Sequence, residues 1–244
     1  MPRLLAILVA LAALLAPGCG DDDEPPQGAP TARFGEAPVR GVEAVEQIRA
    51  QLVPVSDLVG LGRAEEAAVH LRAARADWQQ IANRVRRGDA VLEREVMVAF
   101  DRVDRAIARV GTFDAVRDVA GPLQGQLLGG VREELVPDKD ARLDPGVNAA
   151  VLVRLLDSLE AQYAAGGRER LLHAYGLVVR SQAVARDIAG ELGPQRDAVV
   201  EGLKDLREVA YPDGAALPED PAPVAEVRRR VEDVQRALEA RFEL

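Results

Sequence analysis

Cysteine, histidine and aromatic rings are all scarce in this chain of 244 residues, which has one cysteine, two histidines and an aromatic content of 3%. A single cysteine, Cys19, excludes an internal disulfide framework and a thiolate-rich metal site. Few rings leave the core to aliphatic side chains. Lysine is nearly absent too, with only Lys139 and Lys204, a bias that fits a GC-rich genome rather than a chemical role. Positive charge in excess is also missing, since the formal net charge is −9. An acidic chain without a basic patch is a poor partner for nucleic acid, because phosphate neutralisation supplies most of that affinity. The short basic runs at 84–87 and 228–230 fall within helical patterns and read as solvated faces.

No apolar run is long enough to span a bilayer, which takes about 20 residues. The longest occupies residues 4–15, behind the charged start Met1-Pro2-Arg3 and ahead of small residues. That order makes residues 1–18 a secretory signal peptide. The stretch Ala16-Pro17-Gly18-Cys19 resembles the lipobox of bacterial lipoproteins, with Ala16 where leucine is usual. The resemblance implies cleavage before Cys19, a lipid on its sulfur, and an extracytoplasmic protein anchored to the bacterial cell membrane. Residues 19–41 are rich in Pro, Gly and acidic side chains and bury little, so they are expected to form an extended, disordered tether, kept open by the acidic run at 21–24.

Motifs for catalysis are lacking. There is no G-x-S-x-G, H-E-x-x-H, P-loop or G-x-G-x-x-G, and the carboxylates are interleaved with arginines as on solvated helix faces. The expectation is a protein that is not an enzyme.

What the chain does contain is helical periodicity. Ala67, Leu71, Ala74, Trp78, Ile81 and Val85 alternate spacings of four and three, as do Leu92, Val96, Ala99, Val103, Ala106 and Val110. Val224, Val227, Val231, Val234, Leu238 and Phe242 repeat the pattern, and Trp78 on its stripe reads as a core residue. No segment alternates with period two, so the predicted fold class is all-α. Helices are expected over 42–60, 63–87, 90–110, 113–135, 146–165, 168–192, 195–210 and 222–242. Pro54 should kink or split the first and Gly121-Pro122 the fourth. Asp144-Pro145 reads as an N-cap followed by proline at the first helical position. With a linker at 136–145, the helices divide into two up-and-down four-helix bundles, 42–135 and 146–244, packed together. An offset of 103 residues superposes His70 on His173, Ile81 on Val184, Val85 on Ile188, Val96 on Val199, Phe100 on Leu203 and Val103 on Leu206, the mark of an internal duplication.

Each histidine follows a glutamate by four residues, Glu66…His70 and Glu169…His173. Such a pair projects from one helix face, and carboxylate with imidazole can hold a transition-metal ion such as iron. The four residues are therefore the candidate metal ligands.

Residues 161–242 resemble the helical extracytoplasmic region attached to some bacterial high-affinity iron permeases of the oxidase-dependent iron transporter family. The residues carrying this are Gln162-Tyr163-Ala164-Ala165-Gly166-Gly167, Ala174-Tyr175, LKDLREVAYPDGA at 203–215 and the closing Val-rich helix. Residues 42–110 share the layout, and the doubled arrangement is similar to that of imelysin-like periplasmic proteins. The resemblance implies an accessory role in metal, chiefly iron, uptake, with an iron permease or another envelope protein as partner. The permease R-E-x-x-E motif and the imelysin-like G-x-H-x-x-E motif are absent, so no site residue is carried over from either family. A metal role expects polar side chains converging in the seam between the bundles. A purely structural or interaction role expects Glu66 and Glu169 to pair with arginines such as Arg63 and Arg170, leaving both histidines exposed.

Overall fold

The computed structural model describes residues 34–109 and 111–244, and these are all-helical, with no β-strand. The expected signal peptide, Cys19 and residues 19–33 of the expected tether lie outside the described residues.

Helix α1 (Glu36–Gly60) begins earlier than expected, inside the segment read as tether. Pro38 is tolerated there because the first turn has no intrahelical partner for its missing N–H, and Val39 and Val42 already bury their side chains. Pro54 does not split the helix, which runs on through it with Pro54 buried. Thirteen of the 25 residues of α1, among them Val45, Ile48, Leu52, Val55 and Leu58, are buried, on every side of the helix. A helix apolar all round belongs in the middle of a fold, and α1 packs on α2, α4, α5, α7 and α8.

Helix α2 (Ala64–Gly88) and α3 (Ala90–Arg109) carry the predicted stripes inward, with Trp78 and Phe100 fully buried. The fourth predicted helix divides. Helix α4 (Phe113–Pro122) passes into a π-helical turn at Leu123–Leu127 and then α5 (Leu128–Leu135). Pro122 cannot donate to the ladder, and the altered turn keeps the chain helical. The carbonyl of Gln124 in this turn accepts from Arg49 Nε at 2.9 Å.

The expected linker is structured. It holds the one-turn α6 (Lys139–Leu143), capped by Asp138, and buries Val136 and Ala141. Arg132 and Asn148 both donate to the carbonyl of Arg142, tying α5, α6 and α7 together. Asp144 caps α7 (Pro145–Ala165) as predicted, accepting from the Val147 amide at 2.9 Å. Helix α8 (Arg168–Asp187) ends five residues before its predicted limit, α9 spans Arg196–Ala210, and α10 (Val224–Glu239) starts behind Pro223.

In the first half α1 packs on α2, α2 on α3, α3 on α4, and α4 with α5 on α1; in the second, α7 packs on α8, α8 on α9, α9 on α10 and α10 on α7. Buried apolar side chains from both halves form one connected core. The three tyrosines cluster in the second half, where Tyr163 and Tyr175 each meet Tyr211 edge to face at 5.9 and 5.5 Å between ring centroids.

Candidate functional site

The seam joining the halves is polar where α1 passes between α2, α7 and α8. Of the buried polar residues, Glu46, Gln51 and His70 lie here. Glu46 is 1% exposed and accepts from Arg49 at 2.7 Å and from Arg180 of α8 at 2.7 Å. Glu46 and Gln51 were not foreseen from sequence. Their signal was a polar residue at positions where α1 is apolar on every face.

His70 projects from α2 into this seam and is 1% exposed. Its Nδ1 lies 3.0 Å from Oε1 of Gln51 on α1. An amide oxygen only accepts, so Nδ1 carries the proton and Nε2 holds a bare lone pair. That Nε2 is buried with no hydrogen-bond partner among the described residues, and the same is true of Nε2 of His173 on α8. The two rings are electrostatic neighbours. Burial, and next the nearby His173, push the His70 imidazole down to about 4 from 6.5, against a smaller opposing pull from Glu66. Burial alone pushes His173 down to about 4. Both histidines are neutral at physiological pH.

The glutamates behave differently from the imidazoles. Glu66 is clamped between Arg63, which donates to both carboxylate oxygens, and Arg168 Nε at 2.8 Å. The Arg63 hydrogen bonds, partly offset by burial and joined by Arg168, bring its carboxyl down to about 2. Glu169 is exposed at the rim. Among the described residues no group of three or more His, Cys, Asp or Glu side chains is arranged to hold a metal ion. The four predicted ligands therefore do not form one set. The sequence pattern brought two imidazoles toward one seam, but the arginines at the start of α2 and α8 take Glu66 away from them.

Two hollows flank the histidines. One is a cleft of about 730 Å³ between α1, α2, α7 and α8, whose lining includes Gln47, Gln51, Asp77, Gln162 and His173. The other, about 210 Å³, reaches His70 past Val69, Leu172 and Glu169. No protein-family model, curated protein or solved structure matches this chain. The seam has to be read from its own chemistry.

The histidines make acid stability a direct readout of their burial. A histidine whose folded pKa is depressed takes up its proton more readily in the unfolded chain. Stability is then complete above the unfolded pKa of 6.5 and falls as pH drops toward the folded value of about 4. The loss approaches roughly 3 kcal/mol per histidine at its largest. Urea midpoints measured between about pH 7 and about pH 5 should fall in the wild type and change less in the double variant His70→Gln, His173→Gln. Equal slopes would mean that neither ring is buried as described.

Proposed function

We propose that the chain is a lipid-tethered, extracytoplasmic binding protein that captures a transition-metal ion on His70 and His173 and so assists metal uptake across the membrane beneath it. One observation carries the reading: two neutral imidazoles, His70 buried and His173 half-buried, whose buried Nε2 atoms have no hydrogen-bond partner among the described residues. A buried nitrogen without a partner is costly, and metal coordination would recover that cost. The hydrogen bond from His70 Nδ1 to Gln51 is the outer contact that fixes a ligating ring. The flanking hollows offer an entry path.

The donor chemistry refines the choice of ion. Ferric iron prefers carboxylate oxygen, and Glu66 is committed to two arginines. Imidazole nitrogens without carboxylates suit copper or zinc, with the remaining positions filled by water or an exogenous ligand. The lipid on Cys19 and the docking on an iron permease or another envelope protein belong to the same proposal. So does the architecture of two four-helix bundles from an internal duplication. It is supported by the closure of each half on itself and by the burial of Val96 with Val199, Phe100 with Leu203 and Val103 with Leu206.

A titration of the purified full-length protein in detergent with cuprous, zinc, ferrous and ferric ions tests the reading. Near-stoichiometric binding of copper or zinc, lost in His70→Ala, His173→Ala and without a ferric counterpart, is the expected result. Binding that ignores the histidines, or none at all, discards it. A ligand-free interaction protein would then be the better account, and the Arg63–Glu66–Arg168 clamp already favours that second reading in part.

A further inference from the structure

The larger hollow has properties that the histidine pair does not use. Its walls are built from side chains held by neighbours outside it. Gln47 donates to Ser158 at 3.0 Å, Glu43 accepts from Arg154 at 3.0 Å, and Gln51, 8% exposed, has its carbonyl oxygen occupied by His70 at 3.0 Å. With its oxygen committed, Gln51 has its amide N–H groups left for the cleft. Around this fixed floor stand four charges, Arg40, Asp77, Glu169 and Arg170. No ion pair among the described residues engages any of them, although arginines and carboxylates pair freely elsewhere on the surface. Asp77 is half-buried, and burial without a compensating cation pushes its carboxyl up.

We infer that this cleft binds a small zwitterion, a free amino acid or short peptide, with its carboxylate on Arg40 or Arg170, its ammonium on Asp77 or Glu169, and its amide or carbonyl groups on the glutamines. The lining favours this class on three grounds. It carries both signs of charge, where a site for a simple anion or cation would carry one. Its lining has no Phe, Tyr or Trp ring on which a sugar or nucleobase would stack, and His173 is its one ring. Its volume of about 730 Å³ lies within the usual range for small-molecule sites. An ammonium seated on Asp77 would also offset the burial of that carboxylate, so the site gains most from a ligand bearing the charge it lacks.

The inference does not rest on the metal reading, although His173 lines the same cleft, and EDTA in the buffer keeps the two apart. The full-length protein in detergent would be titrated calorimetrically, and followed by thermal unfolding, with glycylglycine, L-arginine and L-glutamate as zwitterions. Acetate, putrescine and the blocked N-acetylglycine methylamide serve as controls that carry negative charge only, positive charge only and no charge. The expected result is saturable binding and a raised Tm with at least one zwitterion, and neither with the controls. Asp77→Asn and Arg170→Gln should each weaken that binding about tenfold, the worth of one charge-assisted hydrogen bond. Both sites are at the surface of the cleft, so circular dichroism should show each variant folded. Absence of binding by every zwitterion overturns the inference, as does equal binding of the blocked compound or indifference to both substitutions.

Discussion

Replacing Glu46 by alanine should lower folding stability by about 3–5 kcal/mol, the usual cost of removing one partner from a buried ion pair. Its carboxylate is 1% exposed, and it holds Arg49 of its own helix and Arg180 of α8, whose side chains are 11% and 20% exposed. Without it, two guanidinium groups stay where they are, largely cut off from water and facing each other across the seam. The cost therefore comes from the charges left behind more than from the bond removed. Glu66→Ala is the control, because that carboxylate is 35% exposed, Arg168 is 54% exposed and Arg63 keeps its bond to the carbonyl of Ala215, so a loss under about 1 kcal/mol is expected. Urea unfolding compares the two through their midpoints at unchanged slope. Equal losses for both would mean that the α1–α8 seam is wet.

The second large effect is expected from a methyl group. A Cβ on Gly176 of α8 would lie 1.9 Å from the carbonyl oxygen of Ala50 and 2.7 Å from its carbonyl carbon. These are backbone atoms and cannot swing aside. Ala50 stands four residues before Pro54, so its carbonyl lacks the amide that would normally occupy it. Gly176, having no Cβ, lets α8 come up against that oxygen. Gly176→Ala should force the helices apart and cost about 3 kcal/mol or more. Gly88→Ala makes the contrast. Its Cβ would meet Glu134 Oε1 at 1.5 Å, a closer clash, but with the free end of a flexible side chain. Once Glu134 moves, the substitution should change stability by less than about 1 kcal/mol, helped by the helix propensity of alanine. Were Gly176→Ala as mild as Gly88→Ala, the close approach of α1 and α8 would be wrong.

The helices were legible because each buries one face, and burial of one face writes a period of three to four into the sequence. Trp78, the Asp144 cap and the stripes of α2, α3 and α10 follow from that rule alone. Helix α1 departs from it. Buried on every side, it has no single stripe, and its early start and its passage through Pro54 depend on neighbours that local patterning does not describe. The site shows the same division. The i, i+4 spacing placed His70 and His173 on inward faces, yet which arginine would reach Glu66 depended on how α8 is rotated against α2. That rotation adds Arg168 to the expected Arg63 on Glu66. Glu46 and Arg180, 134 residues apart in sequence, meet only because α1 crosses α8.

The placement of the rings has an optical consequence. The only tryptophan, Trp78, is buried in the first half of the chain, and all three tyrosines are clustered in the second. Indole emission and the near-ultraviolet tyrosine bands thus report on different halves of one connected core, without any added label. Comparing the two signals in a single melt separates cooperative unfolding of the whole from a loosening of one half.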